Sequence, residues 1–163
     1  NAQSVTPKYG DIIKIIPEKK ELGFVGTPKE INKDLILNIV KEKKVPIIAP
    51  MGIGDDRNIY NINADVAAGA VAKELKCRRL LLMTDVKGVL DKNNQLILEI
   101  NSEVAKKMLE EEVISGGMIP KINTCIDALE NGVTGVVIVD GKKPHSILFE
   151  LFSDKGSGTL IRK

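Results

Sequence analysis

The sequence predicts an α/β fold built on a mainly parallel sheet with helices on both sides, a three-layer sandwich. Strand and helix patterns alternate along the chain, which is typical of such folds. The strand candidates Arg79–Thr84 (RLLLMT) and Gly135–Val139 (GVVIV) are apolar almost throughout, instead of alternating with polar residues. Strands of that kind are buried on both faces. At 163 residues, 43% of them hydrophobic, the chain is long enough to bury a substantial core.

The N-terminal region is predicted to contain a hairpin followed by a helix. Residues 11–16 (DIIKII) and 22–25 (LGFV) are short apolar stretches separated by a proline and charged residues, which favours two paired strands. Thr27-Pro28-Lys29-Glu30 has a cap residue, a proline at the first helical position and an early acid. We therefore expect a helix that begins there and ends at Lys44.

A short strand and a turn follow in this prediction. Residues 47–49 lie between two prolines and form a brief apolar run suited to a buried strand. Residues 51–58 carry two glycines and two aspartates, which indicates a turn. We place the boundary between the two parts of the chain there, giving 1–57 and 58–163.

Beyond this boundary, helices and strands alternate. Alanine-rich composition, apolar residues at helical spacing and a glycine suited to a C-terminal cap, Gly132, indicate the helices. The expected helices are 64–76, 101–112, 118–131 and 144–152, and the expected strands are 79–84, 96–100, 135–139 and 159–161.

Charge and composition argue against several kinds of partner. With 24 basic and 22 acidic side chains, the net charge is +2, and no basic patch suggests nucleic acid or an anionic membrane. No apolar run approaches the ~20 residues that span a bilayer. Cys77, Cys125 and His145 lack the spacing of a zinc site, so we predict no metal site and two reduced thiols, as in a cytoplasmic protein.

Three segments carry residues suited to binding phosphates or carboxylates. Asn61, Asn63 and Asp65 precede or begin a predicted helix, where backbone N–H groups attract anions, although helix capping alone explains them as well. Residues 84–91 (TDVKGVLD) follow an apolar strand, at the position where open parallel sheets bind ligands. Residues 113–121 (VISGGMIPK) combine paired glycines, a helix start and Lys121.

Taken in order, these blocks resemble the N-acetylglutamate kinases of the amino acid kinase family. The resemblance rests on YNINAD, TDVKGVLD, ISGGMIPK, VDGKKPH and ELFSDKGSGT, and it covers nearly the whole chain from the LGFVG stretch onward. It implies the amino acid kinase fold, with an N-terminal lobe for the acceptor and a C-terminal lobe for the nucleotide. It also implies MgATP as co-substrate, N-acetyl-L-glutamate as acceptor, a role in arginine biosynthesis and a homodimeric full-length enzyme.

The same resemblance assigns roles to individual residues. Lys121 matches the lysine that stabilises the transferring phosphoryl group, and Asp65 matches the aspartate that holds the catalytic lysines. Asn61 matches a contact to acetylglutamate, and Asn63 belongs to the same block. The stretches that line the ATP site are matched by Asp85, Val86, Lys87, Gly88, Val89, Leu90, Val113, Ile114, Ser115, Gly116, Gly117 and Met118.

Other parts of the family pattern do not match. No glycine-rich segment with a second phosphate-binding lysine precedes Tyr60, and Lys8-Tyr9-Gly10 is assigned no role. We therefore expect a piece of a longer protein that lacks most of the N-terminal lobe and has weak or no activity alone. Glu150 and Gly156 match two positions of the arginine site of arginine-inhibited members, but Val137 replaces a histidine found in them.

Two other functions stay open at this point. The chain could belong to an amino acid kinase with another acceptor, such as a carbamate, an aspartate or a nucleotide. It could also be a non-catalytic nucleotide-binding or regulatory module, although a pure binder has no need of both Lys121 and Asp65.

Overall fold

The computed structural model describes residues 2–5, 12–153 and 156–163, in two compact units that divide between Leu75 and Lys76. Residues 8–11, which include the predicted start of the first strand and the tripeptide without an assigned role, lie outside the described residues. The predicted boundary after residue 57 separates a part of the acceptor lobe from the ATP-binding lobe. It is defined by the ligand that each part binds, so it stays a prediction.

The described residues of the first unit form six short strands and two α-helices. Strands β1 (Ala2–Val5) and β4 (Val45–Ile48) pair in parallel. A second sheet has the order β3-β2-β5-β6, with antiparallel pairing at both ends and parallel pairing in the middle. Its strands are β2 (Ile13–Pro17), β3 (Gly26–Ile31), β5 (Met51–Ile53) and β6 (Ile59–Asn61), and the helices are α1 (Lys33–Lys41) and α2 (Ala64–Glu74).

Three predictions for this unit are wrong. Thr27 to Glu30 belong to strand β3 instead of starting a helix, and α1 begins after Asn32, whose side chain accepts a hydrogen bond from the N–H of Leu35 at 3.1 Å. Pro28 fits a strand here because β3 lies at the edge of its sheet, where a missing N–H is tolerated. The hairpin forms, but its second strand is β3 and not residues 22–25.

The predicted turn at 51–58 is the third correction. Only its middle turns the chain, because residues 51–53 form β5, which pairs with β6. Gly52 permits close packing within the sheet: a Cβ there would lie 2.3 Å from Cγ2 of Ile15, a residue of the core. The glycine therefore reflects packing and not chain reversal.

The second unit contains a four-stranded sheet with the order β7-β9-β10-β8. Strands β7 and β9 are parallel, β8 and β10 are parallel, and β9 and β10 are antiparallel. The strands are β7 (Arg79–Thr84), β8 (Glu99–Asn101), β9 (Gly135–Asp140) and β10 (Thr159–Arg162), and the helices are α3 (Ser102–Glu110), α4 (Met118–Glu130) and α5 (Ser146–Phe152).

Strand β9 is the centre of this unit. Val136, Val137, Ile138 and Val139 are all fully buried, and successive side chains of a strand point to opposite faces. Both faces of the sheet are therefore covered along β9, which α4 and α5 both contact. The predicted α/β class with parallel pairing is confirmed. Within the described residues, no helix is long and apolar enough to cross a membrane.

Candidate functional site

The candidate site lies at one edge of the sheet in the second unit. The parallel strands β7 and β9 end there together, because Thr84 pairs with Asp140. The next residue after β9, Gly141, donates its N–H to the carbonyl of Thr84 at 2.7 Å. Strand β10 begins at the same edge, with Thr159 opposite Ile138. Ligands of open parallel sheets bind beyond such carboxyl ends.

The segment that leaves β7, residues 85–90, divides into an exposed half and a buried half. Asp85, Val86 and Lys87 are exposed, whereas Gly88 and Val89 are buried. Lys142 lies opposite the exposed half, with its Nζ 3.9 Å from Oδ2 of Asp85. Because both side chains are about three-quarters exposed, this ion pair adds little stability and leaves both charges accessible to a ligand.

The buried half of this segment is held by Thr159. The hydroxyl Oγ1 of Thr159 accepts a hydrogen bond from the N–H of Val89 at 2.9 Å and donates one to the carbonyl of Ile97 at 2.6 Å. Gly88 has a φ of +142°, and a Cβ on it would lie 2.5 Å from Oγ1 of Thr159. A side chain at position 88 would therefore displace the segment.

The other segment predicted to line the ATP site, residues 113–118, leads into α4. Ile114 is buried, while Ser115, Gly116 and Gly117 are exposed. A Cβ on either glycine would meet no atom within 4 Å, so the backbone there is open to solvent. Helix α4 begins at Met118 after Gly117, which makes no side-chain cap hydrogen bond. Lys121, half-buried, lies in the first turn of α4.

The connectivity indicates where this helix start lies in the unit. Only residues 131–134 separate the end of α4 from the start of β9, and α4 contacts β9. A helix of 13 residues is ~20 Å long, about the length of a six-residue strand. A short connection requires α4 to run back along β9, and we infer that its first turn lies toward the carboxyl end of that strand, the edge that carries residues 85–90.

Asn61, Asn63 and Asp65 come together at the entry of α2, in the first unit. Asn63 is the N-cap: its Oδ1 accepts hydrogen bonds from the N–H groups of Asp65 at 3.0 Å and Val66 at 3.3 Å. The N–H of Asn61 donates to the carbonyl of Phe24, and its side chain is exposed. Capping therefore explains Asn63 locally, and the acceptor role of this group stays a prediction.

Glu150 and Gly156 are neighbours in the second unit. Glu150 accepts a hydrogen bond from the N–H of Ser157 at 2.9 Å, and its other oxygen is 3.8 Å from the Arg79 guanidinium. Gly156 has a φ of +65°, and a Cβ there would lie 2.7 Å from Oε2 of Glu150. The Glu150 side chain is 9% exposed, so groups of the same chain already occupy its carboxylate. Arginine binding there stays a prediction.

Within residues 2–5, 12–153 and 156–163, no group of three His, Cys, Asp or Glu side chains could hold a metal ion. Burial raises the pKa of the Cys77 thiol, which keeps it protonated at neutral pH.

Sequence reasoning missed the residues that support the edge of the sheet where β7 and β9 end. Thr159 was part of a quoted block, yet only the structure links it to Val89, which lies 70 positions earlier in the chain. Gly141 was likewise part of the quoted block VDGKKPH, yet only the structure shows that its N–H donates to the carbonyl at the end of β7. A threonine that follows Gly-Ser-Gly at the start of an apolar strand was the available signal.

Comparison with known proteins gives consistent matches. The chain matches the model of the amino acid kinase family over residues 1–140. It is 56% identical over 162 residues to the acetylglutamate kinase of Pelagibacter ubique (strain HTCC1062), covering 99% of this chain and 56% of that protein. The chain spans about half the length of the curated relatives that it matches.

Two solved structures have a fold similar to that of this chain. The structure of smu.665 from Streptococcus mutans UA159 matches with a TM-score of 0.82 at 32% identity, over 99% of this chain and 60% of that one. N-acetylglutamate synthase from Neisseria gonorrhoeae, complexed with coenzyme A and N-acetyl-glutamate, matches with a TM-score of 0.89 at 22% identity, over 99% and 38%. At that identity the second likeness concerns the fold alone.

Proposed function

Because the chain belongs to the amino acid kinase family, we propose that it forms the ATP-binding part of an enzyme that phosphorylates the side-chain carboxylate of N-acetyl-L-glutamate. The similarity to an acetylglutamate kinase at 56% identity supports this acceptor over others in the family. The enzyme would act in arginine biosynthesis, in the cytoplasm, and as a homodimer at full length. The chain alone is proposed to be weakly active or inactive, since it matches 56% of that relative.

The observation that carries the proposal is the exposed glycine pair at the start of α4. Gly116 and Gly117 have open space where side chains would project, so an anion can approach their backbone closely. A helix N-terminus carries partial positive charge, and Lys121 adds a full one in its first turn. This combination suits the β- and γ-phosphates of ATP.

Phosphoryl transfer to a carboxylate requires compensation of negative charge more than acid–base catalysis. The acceptor carboxylate is already ionised at neutral pH, so its oxygen attacks the γ-phosphorus directly while the bond to the β-phosphate oxygen breaks. We assign Lys121 to the negative charge on the transferring group, Asp65 to holding the catalytic lysines, and Asn61 and Asn63 to the acceptor. Residues 85–90 and 113–118 line the nucleotide site in this proposal.

Magnesium would be supplied with the nucleotide. Mg²⁺ keeps several water molecules and is commonly bound through substrate phosphates and one or two carboxylates. Asp85 and Asp140, at the ends of the two parallel strands, are the carboxylates of this edge that could contact its water shell.

Calorimetric titration of the chain with MgADP tests the nucleotide site. Lys121→Ala is expected to weaken binding about ten- to hundredfold, because a charge-assisted contact to phosphate contributes ~1.5–3 kcal/mol. Lys106→Ala is the matched control, since Lys106 pairs with Glu130 at the other end of α4 in an exposed ion pair. Absence of MgADP binding in the folded chain, or equal losses in both variants, would contradict the assignment.

A separate assay tests the acceptor. ADP release from MgATP is measured with N-acetyl-L-glutamate, aspartate or carbamate, for this chain and for a chain extended to the length of its relatives. We expect the extended chain to respond to N-acetyl-L-glutamate alone. Turnover with another acceptor would indicate that the protein belongs to another branch of the family. Nucleotide binding without turnover would indicate a regulatory module.

A further inference from the structure

Thr159 has a buried hydroxyl that makes hydrogen bonds to two residues of another segment. The residue is fully buried, one of three buried polar residues in the described part of the chain with Thr84 and Ser146. Its Oγ1 accepts from the N–H of Val89 and donates to the carbonyl of Ile97. The N–H of Ile97 in turn donates to the carbonyl of Val89 at 2.9 Å. One side chain thus closes a hydrogen-bonded link between residues 89 and 97.

The support beneath this hydroxyl is an interior strand of the sheet. Strand β10 pairs with β9 on one side and with β8 on the other, so Thr159 belongs to an interior strand of the sheet. The residue before it, Gly158, packs so closely on β9 that a Cβ would lie 2.0 Å from the carbonyl oxygen of Ile138. The position of Oγ1 is therefore set by the centre of the sheet and not by a surface loop.

Residues 85–88 run between two fixed points at this edge. The carbonyl of Thr84 accepts from the N–H of Gly141 before them, and the N–H of Val89 donates to Thr159 after them. Because β9 lies between β7 and β10 in the sheet, the segment has to cross the end of β9 to reach Thr159. Four residues held at both ends have few alternative paths, and this restricts where Asp85 and Lys87 can point.

We propose that Thr159 is a positioning residue for nucleotide binding, which acts by holding residues 85–90 in the shape that lines the site. The inference rests on the proposed function, since it assumes that residues 85–90 contact the nucleotide. Thr159 touches no ligand in this proposal. Its hydroxyl orders the segment before the nucleotide arrives, so that binding does not have to order it.

Two substitutions separate the hydroxyl from the shape of the side chain. Thr159→Val keeps the branched shape and removes both hydrogen bonds, whereas Thr159→Ser keeps the hydroxyl and loses a methyl group. Ile161→Val, on the same strand and fully buried, is the control for destabilisation of β10 without a bond to the segment. Binding of MgADP is measured by calorimetry for all four proteins, at a temperature where each is folded by circular dichroism.

The expected result is a MgADP affinity about tenfold weaker in Thr159→Val, because the N–H of Val89 loses its buried partner. Thr159→Ser is expected to bind within about threefold of the unchanged chain, and Ile161→Val is expected to bind equally well. A purely structural role for Thr159 would lower the unfolding temperature and leave the affinity of the folded protein unchanged, and this outcome would overturn the proposal.

Amide hydrogen exchange gives a test that does not depend on the variants folding. In the unchanged chain without nucleotide, the N–H of Val89 is expected to exchange as slowly as the amides of β9. Exchange as fast as at Val86 or Lys87 would overturn the proposal. If the unchanged chain fails to bind MgADP but protects Val89, the proposed function fails while the anchoring by Thr159 stands, so the two failures are distinguishable.

Discussion

The two glycine-containing segments of the second unit, residues 85–90 and 113–118, are built in opposite ways. Gly88 is buried beneath the Thr159 hydroxyl, and a Cβ on it would lie 2.5 Å from that oxygen. Gly116 and Gly117 have no atom within 4 Å of the place where a Cβ would be. In the first segment glycine makes room for the protein itself, and in the second it leaves room for a ligand.

This difference separates stability from binding. A substitution at Gly88 disturbs contacts that exist in the chain without ligand, so its main effect falls on folding. A substitution at Gly117 disturbs nothing already present, so any loss of function would arise from contacts with a bound molecule. The three predictions below use this separation, from the largest expected change in stability to the smallest.

Gly88→Ala is expected to destabilise the chain by about 3 kcal/mol, because the new methyl group overlaps Thr159 and a φ of +142° strains any residue with a Cβ. Urea unfolding followed by circular dichroism measures the change. In a double-mutant cycle with Thr159→Ala, the two costs should add to more than the cost of the double variant, because the clash with Oγ1 disappears when the hydroxyl is removed. A cost below about 1 kcal/mol in the single variant would show that the segment yields easily, contrary to the comparison.

Gly116→Ala is expected to cost about 1 kcal/mol, since the site has space but its φ of +58° disfavours alanine. Gly116→Asn is the matched variant, because asparagine tolerates this left-handed conformation, and it should cost less. The same unfolding experiment measures both. Equal costs for the two variants would mean that backbone conformation is not what position 116 requires.

Gly117→Ala is expected to change stability by no more than about 0.5 kcal/mol, because its φ of −66° is ordinary and the space around it is open. Under the proposed function its affinity for MgADP should nevertheless fall several-fold, since a methyl group would stand between phosphate and backbone. Calorimetry beside the unfolding curve tests this. Unchanged affinity would remove Gly117 from the phosphate site.

Prediction from sequence worked best where one physical signal was strong. Strand β7 was predicted with the bounds that the structure shows, and α4 within one residue, because an apolar strand and an amphipathic helix each impose a clear pattern. It failed at Thr27-Pro28-Lys29-Glu30, where a local helix signal competes with pairing to β2. Hydrogen bonds along that strand prevail over the weak preference of four residues for a helix start.

The same contrast between local patterns and long-range contacts applies to the candidate site. Local patterns sufficed for the α/β class and for the segments that carry polar residues and glycines, because composition and periodicity are properties of neighbours in the chain. Tertiary structure decided which glycine is packed and which is open, and it alone brought Thr159 to Val89. Such contacts join residues distant in the sequence, and their energies depend on distances that no local pattern records.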